Sequence, residues 1–157
     1  MSGEAIRIVL LCALAGLLVA AAVTDVRSRI ISNKLNIVIA LLAPLYWLAS
    51  GIPAWPDMAL QVALSIGIFA LFAALFAFGL MGGGDVKLLA AVALWFPWQA
   101  LPLLLVIMAV LGGVITLVTV IHHKVTKRLG QPEVPYGVAI ALAAMWIVGE
   151  RIFYQFA

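Results

Sequence analysis

A chain of 157 residues that is 67% hydrophobic and 10% charged, with mean hydropathy +1.26, lacks the polar residues needed to cover a water-soluble domain, so composition makes it a membrane protein. The net charge of +3 comes from basic residues scattered through short loops and not gathered in a stripe, which argues against nucleic-acid binding. The one cysteine, Cys12, excludes an intrachain disulfide or a multi-cysteine zinc site.

A hydrocarbon core about 30 Å thick needs roughly 20 apolar residues per helix. Divided on that length, the chain is an all-α bundle of six transmembrane helices at 5–24, 35–50, 58–79, 86–96, 101–121 and 136–153, forming one polytopic domain over residues 1–157. No soluble domain and no internal repeat is visible. The run Ala20-Ala21-Ala22 inside the first helix resembles a signal-peptide cleavage site, but Glu4 and Arg7 leave the preceding stretch neutral, so it is read as helix. Pro44 and Pro102 are expected to kink the second and fifth helices.

The loop after the first helix carries Arg27, Arg29 and Lys34, the loop before the fourth adds Lys87, and the loop after the fifth adds Lys124, Lys127 and Arg128. Seven of the nine basic residues therefore share one side, which the positive-inside rule makes cytoplasmic, with both termini outside. Trp47, Trp55, Trp95 and Trp98 flank the two outer loops, where an interfacial aromatic belt would place them.

Asp25 ends the first helix and Asp85 begins the fourth; two spans separate them, so both fall on the cytoplasmic face. The other acids, Glu4, Asp57, Glu133 and Glu150, lie in loops or at chain ends. From Val86 to Phe96 the fourth span has 11 residues and reaches only about 16 Å, so either the bilayer thins or Asp85 sits below its surface. An ionisable group at that depth is costly, and usually functional or facing a water-filled cavity. Gly82, Gly83 and Gly84 suit irregular backbone there, because glycine permits φ > 0 and close approach by another chain. The helix dipoles at the two aspartates have opposite sign, which suits a division of acid and base roles with Asp25 as the proton carrier. A carboxylate base activating water and a carboxylic acid protonating the leaving amine amount to amide hydrolysis, and no Ser/His or Cys/His arrangement competes.

Plainer roles exist for the same residues. Asp85 and Asn33 are also candidate helix N-caps. Arg27, Arg29 and Lys34 suit topology and anionic-lipid contacts, with Arg27 close enough in sequence to tune Asp25 or hold the loop. Lys87 lies in a first helical turn, where its charge opposes the dipole and calls for an ion pair or a lipid phosphate. His122 and His123 are adjacent, face different directions and read as interfacial; no ligand set suggests a metal or a cofactor.

Asp25-Val26-Arg27 followed by Ile31-Ser32-Asn33 resembles the D-x-R-x-x-x-I-x-N segment of type IV prepilin peptidases. Gly82-Gly83-Gly84-Asp85-Val86-Lys87-Leu88 resembles their G-x-G-D-x-K-L segment, and Pro135-Tyr136-Gly137 a looser P-[YF]-G element at the start of their last helix. The resemblance implies an aspartic membrane endopeptidase of the bacterial inner membrane that removes a short basic leader from prepilins or pseudopilins at the cytoplasmic interface. It makes Asp25 and Asp85 the catalytic pair, and Gly82, Gly83, Gly84, Lys87, Arg27, Asn33, Pro135, Tyr136 and Gly137 the substrate-binding or supporting residues. It implies the substrate helix and the lipid bilayer as partners. The glycine loop is expected to let an extended substrate lie against its backbone.

Larger relatives of that family carry a cytoplasmic N-methyltransferase region with paired C-x-x-C motifs. With one cysteine and no room for such an insert, this chain is expected to hydrolyse without methylating. Its size resembles the TadV/CpaA-like peptidases of tight-adherence (Flp) pilus systems. Two other classes use similar parts. A small ion- or proton-coupled transporter would hold its acids near the midplane between repeats. A presenilin-like intramembrane protease would share only the Gly-Asp segment.

Overall fold

Among the described residues six helices form, each overlapping an expected span: α1 Gly3–Ser28, α2 Asn33–Ala49, α3 Ala59–Ala77, α4 Gly83–Ala93, α5 Leu101–Val125 and α6 Tyr136–Phe156. The computed structural model describes residues 3–126 and 134–156, the last three of these by backbone alone. Lys127, Arg128 and Glu133 lie outside the described residues.

α1 runs past its expected end and takes Asp25 into its last turn. It stops where Arg29 enters the left-handed region at φ 55°, its N–H bonding to the Asp25 carbonyl at 3.0 Å. A non-glycine residue in that conformation costs about 1 kcal/mol, the strain of turning the chain within a short loop. Ser32 then caps α2, its hydroxyl accepting the Leu35 N–H at 3.2 Å. α2 remains one helix through Pro44. Pro102 does not kink α5, because it sits in the first turn, where a missing N–H leaves no bond unmade.

α4 and α6 make the centre of the bundle. α2 and α3 pack on α4, α1 and α5 pack on α6, α1 also meets α2, and α4 meets α6. The buried face of α6 is built largely of Ala139, Ala141, Ala143 and Ala144, small residues that let helices approach where lipid gives no hydrophobic drive between them. Leu41, Leu48, Ile66, Leu71, Val110 and Leu117 point outward and exposed, as an apolar solvent requires.

α1, α3 with its leading turn at 54–58, α5 and α6 are long and apolar enough to cross a membrane; α2 is a shorter apolar helix of 17 residues. α4 has 11 residues, about 16 Å of helix, and is buried along nearly its whole length. It resolves the expectation of an undersized span. Being apolar on almost every side and walled by α2, α3 and α6, it meets protein where a spanning helix would meet lipid.

The aromatic belt is corrected. Trp95 is fully buried and Trp47 nearly so, donating their indole N–H groups to the Ile39 and Leu94 carbonyls at 2.9 and 2.8 Å. Trp55 and Trp98 are the exposed pair of the four. Indoles with a carbonyl in reach fill a core without leaving a donor unsatisfied, so hydropathy position alone misplaces them.

Candidate active site

Two carboxylates lie buried at one end of the bundle: Asp25 is 4% exposed and Asp85 7%. α1 supplies the first from its last turn, and α4 the second from its first. The N-terminus of α6 joins them. Val138 N–H donates to Asp25 Oδ2 at 3.2 Å, and Gly137 packs against the same carboxylate. Val138 lies in the first turn of α6, so its N–H, which also lies 3.3 Å from the Pro135 carbonyl, and the positive dipole end are aimed at Asp25.

Gly137 admits no side chain. A Cβ there would lie 2.8 Å from Asp25 Oδ2 and 2.5 Å from Ile31 Cδ1. Ile31, buried in the loop between α1 and α2, also fixes Gly84, where a Cβ would stand 3.3 Å from its Cβ and from its carbonyl oxygen. Gly83 faces the Phe76 ring, 3.2 Å from where a Cβ would be.

These contacts revise the role expected of the glycines. Gly82 has φ −72° and caps α4, while Gly83 and Gly84 are already helical; none of the three has positive φ. Glycine is required there for close packing. The faces of Gly83 and Gly84 are taken by Phe76 and Ile31, so they do not offer a substrate an open backbone.

Asp85 is not the N-cap either. It stands at the third helical position and reaches back to the Gly82 N–H, one half of a capping box. Asn33 also does not cap, since Ser32 does; its Oδ1 accepts from Lys87 Nζ at 2.9 Å, an exposed bond tying α2 to α4. Asp85 and Lys87 are two residues apart, about 200° around the helix, so this pair lies on the far side of α4 from the carboxylate. The cation acting on Asp25 is Arg29, while Arg27 is exposed and makes no hydrogen bond or ion pair among the described residues. Both acids are buried and Asp25 takes an N–H from the first turn of α6, so the dipoles of α1 and α4 are not the sole field at the site.

Of the third motif, Pro135 is buried, its carbonyl 3.3 Å from the Val138 N–H, and Gly137 packs against Asp25. Tyr136 turns to α5, where a Cβ on Gly112 would meet its ring at 3.1 Å. Val138, which acts through its backbone, and Asn36 were not among the expected site residues. Asn36 is buried and donates from Nδ2 to the Gly84 carbonyl at 3.2 Å, holding the start of α4; a polar residue one turn beyond Asn33 in an apolar helix was its only signal. No three His, Cys, Asp or Glu side chains come together among the described residues.

Two buried carboxylates at the end of a helical bundle, one of them held by a helix N-terminal amide, are equipped to polarise a water and to move its protons. Comparison with known proteins points the same way. Residues 12–117, a stretch that includes Asp25 and Asp85 and ends before Pro135, match the type IV leader peptidase family. The prepilin leader peptidase/N-methyltransferase of Stutzerimonas stutzeri is 34% identical over 135 residues, covering 75% of this chain and 45% of that protein. The protein of the same name from Burkholderia pseudomallei is 31% identical over 150 residues, 89% of this chain and 45% of the other. That from Aeromonas salmonicida is 39% identical over 69 residues, 43% and 22% of the two chains. The chain thus spans about half the length or less of these curated relatives. No solved structure matches it. With the family match running over more than half of the chain and through both buried aspartates, this protein belongs to the type IV leader peptidase family.

Proposed function

We propose that the protein is an aspartic endopeptidase that removes the leader peptide from type IV prepilins, of the Flp-like class, with Asp25 and Asp85 as its catalytic pair. The observation that carries this reading is that the last turn of α1 and the first turn of α4 hold two buried carboxylates at one end of the bundle, where the Val138 N–H of α6 donates to Asp25. One carboxylate takes a proton from water as it attacks the scissile carbonyl; the other, protonated, hydrogen-bonds that carbonyl and then gives its proton to the leaving amine. The first-turn N–H groups of α6 hold the ionised member in place without neutralising it. Peptide hydrolysis is the whole of the proposed chemistry; methyl transfer forms no part of it.

In this reading the six-helix bundle spans the inner membrane with the short α4 enclosed within it, both termini outside and the aspartates at the cytoplasmic face. The distribution of lysine and arginine supports that orientation. It also meets the substrate where the chemistry needs it. A prepilin with a basic leader and an apolar helix presents its scissile bond at that interface.

The test is leader release from a full-length Flp-type prepilin co-reconstituted in liposomes, followed by intact-mass spectrometry. Wild type should cut once, at the leader boundary, and Asp25→Asn and Asp85→Asn should not. Cleavage that survives both substitutions would refute the two-aspartate mechanism, and folded wild type inert toward several prepilins would refute the substrate class.

A further inference from the structure

Only Arg7 and Arg151 of the nine basic residues fall outside the cytoplasmic set, and the fold brings them together. Arg7 lies 18 residues before Asp25, about 27 Å along α1, and Arg151 lies 14 residues after Gly137, about 21 Å along α6. Both therefore sit at the end of the bundle opposite the aspartates. There they line one cavity of about 500 Å³, walled by Leu11 and Tyr46 on one side and Leu103 and Ile147 on the other.

The two guanidinium groups are prepared differently. Arg151 is held: its Nη1 donates to the Tyr46 hydroxyl at 3.1 Å and the Trp95 carbonyl at 3.4 Å, and its Cζ lies 5.3 Å from the Phe96 ring centre. Its remaining N–H groups have no protein acceptor among the described residues. Arg7 makes no hydrogen bond or ion pair there at all, although its Nε is buried. Glu150, the one acid at the rim, accepts from the Trp146 indole at 3.1 Å and pairs with neither arginine. A buried guanidinium donor without an acceptor is costly, and basic residues on the outer side run against the topology rule. A ligand that supplies the missing acceptors accounts for both.

We propose that this cavity binds the phosphodiester headgroup of an anionic phospholipid, with Arg7 and Arg151 gripping its phosphate oxygens. Two fork-shaped donors that pair with no carboxylate among the described residues suit a phosphate, which accepts from several directions at once. The aliphatic walls suit the chains attached to it, which a free anion would leave unused. In the orientation proposed above, the site lies in the outer leaflet.

The test is native mass spectrometry of the full chain in neutral detergent, with phosphatidylglycerol and phosphatidylcholine supplied equally. Wild type should retain one phosphatidylglycerol, preferred roughly tenfold, and Arg7→Gln and Arg151→Gln should each lower retention about tenfold, the equivalent of one lost charged hydrogen bond. Lys124→Gln at the other end should not change it. If Arg151→Gln fails to fold, Arg7→Gln decides alone, since its side chain makes no bond within the described protein. Equal retention of the two lipids, retention unchanged in Arg7→Gln, or an equal loss in Lys124→Gln would overturn the site. Displacement of the lipid by inorganic phosphate at equal concentration would overturn the lipid as its ligand.

Discussion

Gly137 lies so close against Asp25 that a Cβ on it would stand 3.0 Å from Cγ as well as 2.8 Å from Oδ2, with Ile31 Cδ1 closing the other side. Two different groups thus exclude a side chain at one position, and they can be separated. Gly137→Ala should lower both thermal stability and turnover, the latter about 100-fold for a carboxylate displaced by roughly 1 Å. Adding Ile31→Val removes Cδ1 and should restore part of the stability but little of the turnover. Full activity in Gly137→Ala would mean that the contact does not position Asp25.

Asp85 is buried beside a second carboxylate, an arrangement that disfavours the folded state and persists where activity needs it. Asp85→Asn keeps the shape and removes the charge. It should raise the unfolding temperature in detergent while cutting turnover by at least about 100-fold, the span expected for loss of a general acid or base. A drop in both would identify Asp85 as structural.

Asn36 anchors α4 through its bond to the Gly84 carbonyl. Asn36→Leu should cost about 1 kcal/mol of stability. It should also slow cleavage, because Gly84 precedes Asp85. Chemical denaturation and single-turnover cleavage, run on the same preparation, would show whether the two losses occur together.

Lys87 and Asn33 bond to each other on the exposed side of α4, away from the acids. A double-mutant cycle with Lys87→Met and Asn33→Ala should give a coupling below about 1 kcal/mol, and each variant should keep turnover within roughly fivefold. A larger catalytic loss in Lys87→Met with stability intact would place the ammonium in substrate binding.

Orientation is open to labelling. In a Cys12→Ser background, Lys34→Cys should react with an impermeant maleimide only from the cytoplasmic side, and Asp57→Cys only from the outside. The reverse pattern would invert the proposed topology.

The meeting of Asp25 and Asp85 was legible because helix parity is a counting property: an even number of intervening spans puts both on one face. The centre of the bundle was less so. Hydropathy sees the apolar character of Trp95 but not the Ile39 carbonyl that satisfies it, so a core residue was read as interfacial. Caps were missed, by one residue for Ser32 against Asn33 and by three for Gly82 against Asp85, because several residue types in each run could serve. The glycines were found for an incomplete reason. Their need for close contact comes from Ile31 and Phe76, and no local pattern reveals a neighbour that distant in sequence. Val138 was beyond reach, since a backbone donor leaves no mark in side-chain identity.

The amide that holds Asp25 comes from α6, which follows every other described helix in chain order. During synthesis, therefore, both acids are made well before that donor exists. A ribosome-bound chain that has released five helices can form the Ile31–Gly84 contact between the two aspartate-bearing segments but has no Val138 N–H. Docking of α6 is then an assembly step that couples completion of the bundle to completion of its reactive end, and a chain halted before Pro135 would hold both acids with Asp25 lacking its backbone donor.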